Sequence, residues 1–310
     1  MRGFCLKIFP VFTVLLILSG SILQGQNIPG KLLSIPVYNH MVLNPGYVGS
    51  KDFTNISLTT KAWKQPDSQL LNFHKRIKNA DGSYSKVGMG AYVFQEQYNE
   101  SWNSGFALSG AYHLALDKDQ IHNLSAGLTM KGIFAVPKTG EENVVDSLTG
   151  KFIPNIDLGI YYYGPAGFAG LSTTSVFGSQ NNEDSTLNYA HLDRSYHLYG
   201  GYKFQVSKKL GIVIEPSVLL SLSDNTISEP HKHLVPYLKV YLENFYLGSY
   251  LKDFDVLALF FQYQFPKFYT GIFLEFPRVG YRNDDNIIFE LSLGMNLGSS
   301  GSSFLQYRHW

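Results

Sequence analysis

The chain predicts an all-β fold, a transmembrane antiparallel β-barrel of about fourteen strands with an extended N-terminal lead. Three observations predict it: a long series of segments that alternate apolar with small or polar residues, a composition poor in charge and rich in aromatics, and short turns that alternate with longer polar connections. Charged residues make up 16% of the 310, against about 25% in soluble domains. Aromatics make up 15%, mainly 22 Phe and 21 Tyr, which suits an apolar belt with aromatic girdles. A large secreted β-sandwich would share this composition, so the strand pattern has to decide.

The N-terminus reads as a secretory signal peptide over residues 1–25. Arg2 and Lys7 are followed by the apolar run Ile8 to Leu18 and then by small and polar residues up to Gly25, the expected cleavage point. The apolar run is shorter than the roughly 20 residues of a spanning helix. Cys5 leaves with this segment, so the mature chain can form no disulfide and offers no thiolate ligand or nucleophile. Two of the 25 basic residues and none of the 24 acidic ones leave as well, which takes the formal charge from +1 to −1. A near-neutral chain without a basic run carries no electrostatic footprint for nucleic acid.

Residues 26–51 form the lead. The barrel is expected over 52–298, and the tail over 299–310. Strands are expected near 53–63, 69–78, 85–96, 103–117, 121–135, 153–163, 166–177, 195–206, 210–222, 233–243, 245–252, 256–265, 268–276 and 286–297. In the fourth, Phe106, Leu108, Gly110, Tyr112, Leu114 and Leu116 share one face, and Ala107, Ser109, Ala111, His113 and Ala115 the other. In the last, Phe289, Leu291, Leu293, Met295 and Leu297 oppose Glu290, Ser292, Gly294 and Asn296. A sandwich sends charged residues outward from its apolar core. Here the second face is rich in Gly, Ser, Ala, Thr and Asn with sparse charge, as in the wall of a hydrated or partly filled lumen. The 286–297 strand is expected to close the barrel.

Asn79–Ser83 and Asp117–Asp119 read as short turns, and 137–152, 178–194 and 223–232 as longer polar loops. Tyr161-Tyr162-Tyr163, Tyr196 with Tyr199, Phe260-Phe261 with Tyr263, and Phe268-Tyr269 cluster near strand ends, where aromatic girdles would sit at the membrane–water boundary.

The lead contains Leu43-Asn44-Pro45-Gly46-Tyr47-Val48-Gly49-Ser50. Pro45 fixes its own φ and biases Asn44 away from the helical region, while Gly46 and Gly49 admit geometries closed to other residues. The result is a rigid turn, read either as a device that redirects the chain into the first strand or as a partner contact. The segment, with its spaced aromatics, resembles the N-terminal signature of the PorP/SprF family, outer-membrane proteins of the type IX secretion and gliding machinery of Bacteroidetes. The match lies at Leu43, Asn44, Pro45, Gly49 and Ser50, and Lys61-Ala62-Trp63-Lys64 resembles the family's Trp-containing first-strand end. Gly46 and Val48 stand where the family often has Ala, and Asn286–Glu290 keeps only the Glu of a Gly-Ser-His-Glu-like start to a late strand.

The resemblance implies a non-enzymatic, integral outer-membrane barrel without cofactor. It would serve the secretion core or anchor a secreted adhesin by its C-terminal sorting domain, with periplasmic secretion components as further partners. Leu43, Asn44, Pro45, Tyr47, Gly49, Ser50 and Trp63 are the motif and candidate contact residues. The alternative is a passive porin or FadL-like channel for small solutes. No Gly-x-Ser-x-Gly elbow accompanies the Ser, His and Asp residues. His231-x-His233 could share a strand face but lacks a third ligand, and Glu141-Glu142 and Glu183-Asp184 read as solvated loop charges. Gly88-x-Gly90 and Gly200-Gly201 read as sites of close packing or bending.

Overall fold

The computed structural model describes residues 35–61, 68–98, 101–137, 151–178, 194–207, 209–224, 227, 233–252, 256–265, 267–276 and 287–298. The expected signal peptide, the tail, Trp63 and most of the three long loops lie outside these residues. Among them run β1 (Thr54–Lys61), β2 (Ser68–Lys78), β3 (Tyr84–Tyr98), β4 (Ser101–Ala115), β5 (Asn123–Pro137), β6 (Lys151–Tyr163), β7 (Gly167–Thr174) and β8 (Ser195–Tyr202). They are followed by β9 (Phe204–Ser207), β10 (Ile212–Ser223), β11 (Leu234–Leu242), β12 (Phe245–Lys252), β13 (Val256–Gln264), β14 (Phe268–Phe276) and β15 (Ile288–Leu297).

Each strand pairs antiparallel with its neighbour in sequence, except at one interruption. β8 breaks at Lys203 and resumes as β9, and both pair with β10, with a register shift at Ile212/Val213. β10 continues to β11, and β15 returns to β1, from Thr54↔Leu297 to Lys61↔Glu290. The ring is therefore a closed fourteen-strand barrel with one extra short strand, and closure removes the sheet edges that an open sheet would present.

The face assignment separates a membrane barrel from a sandwich. Leu108 is 57% exposed, Met130 58% and Leu171 56%, whereas Ala107, Ser109, Ala111 and His113 are buried. Large aliphatic side chains mostly point outward around the ring, and the inward face is mostly small, polar or aromatic. That is the inverse of a soluble core and the pattern of a lipid-facing belt. Among the described residues no helix is long and apolar enough to cross a membrane; the strands cross it.

The two short turns lie at the same end of the barrel. At Asn79–Ser83 the chain reverses with Gly82 at φ +81°, and Asp81 Oδ1 accepts from Ser83 N at 2.9 Å and Ser83 Oγ at 2.6 Å. At the next turn, Asp117 Oδ1 accepts from His122 N at 2.9 Å. The strand order puts the connections 138–150, 175–194 and 224–233 at the opposite end. Short turns on one side and long loops on the other give the asymmetry of an outer-membrane barrel, with the short turns periplasmic.

Two expectations change. The aromatic clusters divide between the faces instead of forming girdles throughout. In the run Tyr161-Tyr162-Tyr163, Tyr161 and Tyr163 turn into the lumen, and Tyr199, Phe260 and Tyr269 are buried, while Phe261 and Phe268 face outward. The reason is the period of two: adjacent aromatics on a strand cannot share a face. Over its described residues, 35–51, the lead is extended only locally, as at Asn44 and Val48. It otherwise coils through two helical turns, α1 (Ile35–Tyr38) and α2 (His40–Leu43), and a 3₁₀ turn at Pro45–Tyr47, all inside the lumen.

Because Leu108 sits midway along β4 on the outward face, Leu108→Lys is expected to destabilise the folded barrel by about 2–4 kcal/mol in a bilayer. Denaturant unfolding in liposomes measures this; a loss below about 1 kcal/mol would contradict the lipid-facing assignment.

Candidate functional site

The site is the seat of the lead inside the barrel. One row of small residues runs across neighbouring strands at a single register: Gly88 pairs with Ala111, Ala111 with Gly127, Gly127 with Gly159, and Gly159 with Ser172. All point into the lumen, so the row forms a shallow trough across β3 to β7. The segment Leu43–Gly49 lies in it. A Cβ on Gly127 would strike the Pro45 backbone, one on Gly159 the Asn44 side chain, and one on Gly88 the Val48 carbonyl. Glycine is required at these positions because the lead's backbone touches the wall's backbone.

Hydrogen bonds divide cleanly between the lead and the wall. The lead satisfies several of its own N–H groups through tight turns: Asn44 N to His40 O at 2.9 Å, Tyr47 N to Asn44 O at 3.0 Å, Val48 N to Pro45 O at 3.1 Å and Ser50 N to Tyr47 O at 2.9 Å. The wall supplies donors to the carbonyls. Ser172 Oγ donates to Leu43 O and Ser125 Oγ to Gly46 O, each at 2.5 Å. His113 Nε2 donates to Val48 O at 2.9 Å, and its Nδ1 accepts from Tyr163 OH at 2.9 Å. Arg76 Nη1 donates to Tyr163 OH at 2.8 Å and reaches Gly49 O at 3.3 Å, so one relay runs from guanidinium to the lead's carbonyl.

Asn44 is the central fastener. Its Oδ1 accepts from Gly46 N at 2.8 Å and caps the 3₁₀ turn, while its Nδ2 donates to Ile160 O at 2.9 Å and approaches Leu171 O at 3.4 Å. Asn39 plays the same part on the other side. Its Nδ2 donates to Thr59 Oγ1 at 3.1 Å, and its Oδ1 accepts from Ser57 Oγ at 3.2 Å and Asn72 Nδ2 at 2.5 Å. Tyr38 OH lies 3.2 Å from both Phe261 O and Ile272 O, and Lys239 Nζ donates to Val37 O at 3.3 Å. The lead is thus tied around the circumference. Val37, Met41, Val42, Leu43 and Val48 are buried, and full burial of each side chain stabilises by about 1.5–3 kcal/mol relative to water.

Between the lead and the wall remains a cavity of about 160 Å³, lined by residues of β1, β2, β6, β7 and β10–β15. Its lining includes Asn55, Tyr241, Gln264, Tyr269 and Asn296, each in the first or last two residues of its strand, so it sits at the short-turn mouth. Lys51, Lys203 and Lys239 reach it together with one carboxylate, Glu215. Glu215 Oε1 is 3.5 Å from Lys239 Nζ, and its Oε2 is 3.7 Å from Lys203 Nζ and accepts from Tyr241 OH at 2.9 Å.

With that geometry in view, a family model described as "Type IX secretion system membrane protein PorP/SprF" matches residues 36–295. The chain belongs to this family. No curated protein matches it. Among solved structures it is similar to the outer membrane protein Omp33 of Acinetobacter baumannii (10% identity, 80% of this chain and 100% of that one, TM-score 0.45). It is also similar to CdiB of the same organism (10%, 79% and 60%, TM-score 0.40) and to the NanC porin (9%, 79% and 100%, TM-score 0.37). Such distant similarities add nothing to the fold beyond the strand pairing itself.

In this PorP/SprF barrel the motif residues Leu43, Asn44, Pro45, Gly49 and Ser50 come together, all buried in the trough. Tyr47 turns toward the cavity instead. It stacks on His40 with ring centroids 5.2 Å apart and meets Tyr161 edge-on at 5.4 Å. Trp63 and His231 lie outside the described residues; His233 is buried just before β11. Gly88 and Gly90, expected to allow close packing, do so against Val48, Gly49 and Met41. Sequence reasoning missed the wall donors Arg76, Ser125, Tyr163 and Ser172, and the charges at the cavity. The available signal was the polar residue on the inward face of an aromatic-rich strand. A Ser–His pair also faces the lumen: Ser221 Oγ lies 2.9 Å from His197 Nδ1, and Nε2 lies 3.2 Å from Thr174 Oγ1. Its third member is a hydroxyl, not the carboxylate that orients a nucleophile's histidine.

Gly127→Val is expected to expel Pro45 from the trough while leaving the barrel folded. Amide exchange at Asn44, Tyr47, Val48 and Ser50 should then rise roughly tenfold or more, as the lead's own turn bonds lose the wall that holds them and are exposed to water. Unchanged protection would refute the docking role of the glycine row. Asn44→Ala should act in the same direction by leaving Gly46 N–H and the Ile160 carbonyl short of a partner, at about 1–3 kcal/mol.

Proposed function

We propose that this chain is a non-enzymatic outer-membrane anchor of the type IX system, holding a secreted surface adhesin by its C-terminal sorting domain at the long-loop end. The reading places it in a gliding or surface-display role in a Bacteroidetes cell, after signal-peptide cleavage. Family membership supports the secretion context. The observation that carries the choice between anchor and porin is the lead itself: the chain fastens its own backbone across the lumen with side chains from β2, β4, β5, β7 and β11. A porin for small solutes keeps that space for water. A plugged barrel suits a stationary holder, whose working surface lies on its loops.

The buried motif residues give the family signature a structural part to play. Fastening the lead leaves the outward loops as the surface for cargo and the short-turn mouth as the surface for periplasmic components of the secretion system.

Purification from native outer membranes in mild detergent, followed by mass spectrometry, tests the reading. A large secreted protein with a C-terminal sorting domain is expected to accompany the barrel and to be lost when that domain is deleted. Undiminished co-purification after the deletion would refute the assignment, and recovery of periplasmic ring or peptidoglycan-binding components alone would move the role to the secretion core. In liposomes the protein is expected to be electrically silent, and Gly127→Val is expected to raise conductance. A large steady open channel in the wild-type protein would favour the porin.

A further inference from the structure

The charged groups at the short-turn mouth answer one another. Glu215 meets Lys239 at 3.5 Å and Lys203 at 3.7 Å, and Lys51 lies in the fields of Glu215 and Asp52. Lys203 and Asp52 each hold further interactions. Burial, and after it repulsion from Lys203, hold Lys51 down at about 7, so near neutral pH much of its charge is already given up. The polar atoms left unanswered in the cavity are neutral ones. His40 Nε2, His74 Nδ1 and Gln264 Oε1, on three lining residues, are buried without a hydrogen-bond partner among the described residues. His74 is 5% exposed, and burial, then the nearby lysine charges, keep the His40 imidazole uncharged. Buried polar atoms left unmatched in a native fold call for an explanation, such as a ligand or ordered water.

The lining around these atoms is rich in tyrosine. Tyr38 OH donates to the Phe261 and Ile272 carbonyls, Tyr241 OH to Glu215 and Tyr246 OH to Gln262 Oε1. Those hydroxyls are engaged by the protein, so what these tyrosines offer a ligand is mainly ring surface. Tyr47 lies between the two histidines, stacked on His40 at 5.2 Å and edge-on to His74 at 5.5 Å, so both unmatched nitrogens border an aromatic ring. The volume of about 160 Å³ gives room for one six-membered ring, since about 150 Å³ is enough to hold benzene. The unmatched atoms make mixed demands. A neutral imidazole nitrogen donates or accepts according to its tautomer, whereas Gln264 Oε1 only accepts. A hydroxyl group meets both demands, because it donates and accepts.

We infer that this cavity binds one hexopyranose ring, with the tyrosine rings against its C–H faces and its hydroxyls meeting His40, His74 and Gln264. A plain aromatic ring would leave those three polar atoms unmatched, and an anion would have to compete with Glu215 for the lysines. The sugar enters from the periplasmic side, either free or as the terminal unit of a glycan. The site is independent of cargo held on the loops at the other end, so it stands or falls separately from the anchoring role.

Calorimetric titration of the purified full-length protein tests it, in an amine-oxide detergent so that no detergent headgroup is itself a sugar. The probes are D-glucose, D-galactose, D-mannose and N-acetyl-D-glucosamine. Saturable one-site binding of at least one is expected. Cyclohexanol, a ring without the set of hydroxyls, and sorbitol, the hydroxyls without a ring, should fail to bind. The affinity should stay within about twofold between about 50 and 500 mM salt, since no ion pair forms with the ligand. Gln264→Leu should weaken binding roughly fivefold, the loss of one neutral hydrogen bond, and heat-modifiable gel mobility verifies that the variant folds. Tighter binding of a disaccharide of the same sugar assigns a glycan terminus, whereas equal or weaker binding assigns a free sugar. No saturable binding of any of these sugars, equal binding of sorbitol or cyclohexanol, a steep loss of affinity with salt, or an unchanged affinity in folded Gln264→Leu would each overturn the inference and leave a hydrated cavity only.

Discussion

The structure depends on how a stretch of backbone with no strand partner is held inside a closed ring of strands. In a β-barrel each strand's N–H groups are used by its neighbours, so the wall has no backbone donors to spare for the lead, although the carbonyls of Ile160, Phe261 and Ile272 accept a further bond from Asn44 and Tyr38. The lead meets this by coiling, which pairs several of its N–H groups with its own carbonyls three or four residues back. Its remaining carbonyls then need donors, and the wall provides them as side chains: Ser125, Ser172, His113, Arg76 and Lys239. This division explains why the lumen face is polar without being highly charged.

The trough and the donors are consequences of the same register. A backbone can approach a wall closely only where the wall has no side chains, and it can be hydrogen-bonded only by side chains next to that gap. The row Gly88, Ala111, Gly127, Gly159 and Ser172 supplies the gap, and Ser125, His113 and Ser172 border or end it. A slip of one residue between any two of these strands would turn every side chain to the opposite face. It would break the trough and place lumen-facing polar groups in lipid at once. The plug and the lipid-facing belt therefore stabilise the same pairing.

Much of this was legible in the sequence, and the limit has a physical cause. The period of two is local, so the outward placement of Leu108 and Met130 and the inward placement of Ser109 and Lys131 follow from neighbours in the chain. The same rule, applied to Tyr161-Tyr162-Tyr163, would have turned two of the three inward. The break at Lys203 was invisible because the alternation of 195–206 continues across it in sequence. The glycine row could not be seen either: each glycine was evident on its small-residue face, but their alignment exists only once β3 to β7 are paired in register. The Asn44-Pro45 turn was readable as rigid, and what it is rigid against was not, since Ile160 and Leu171 lie more than a hundred positions away.

The order of the chain adds a constraint on assembly. The lead precedes β1, and β1 completes the ring by pairing with β15 from Thr54↔Leu297 to Lys61↔Glu290. The lead's fasteners reach β2, β6, β11, β13 and β14, so its full set of contacts exists only when nearly the whole wall is present. Pushing a coiled, partly polar segment into an already closed lumen would strip water from its carbonyls before the wall donors were reached, at a cost of several kcal/mol for each unmet group. Closing the sheet around the lead avoids that cost, because each added strand brings its donors as it brings its share of the lumen wall. The segment Leu43–Ser50 therefore sits in a part of the chain whose fasteners reach from β1 to β14, and the wall is complete for it only when those strands are in place.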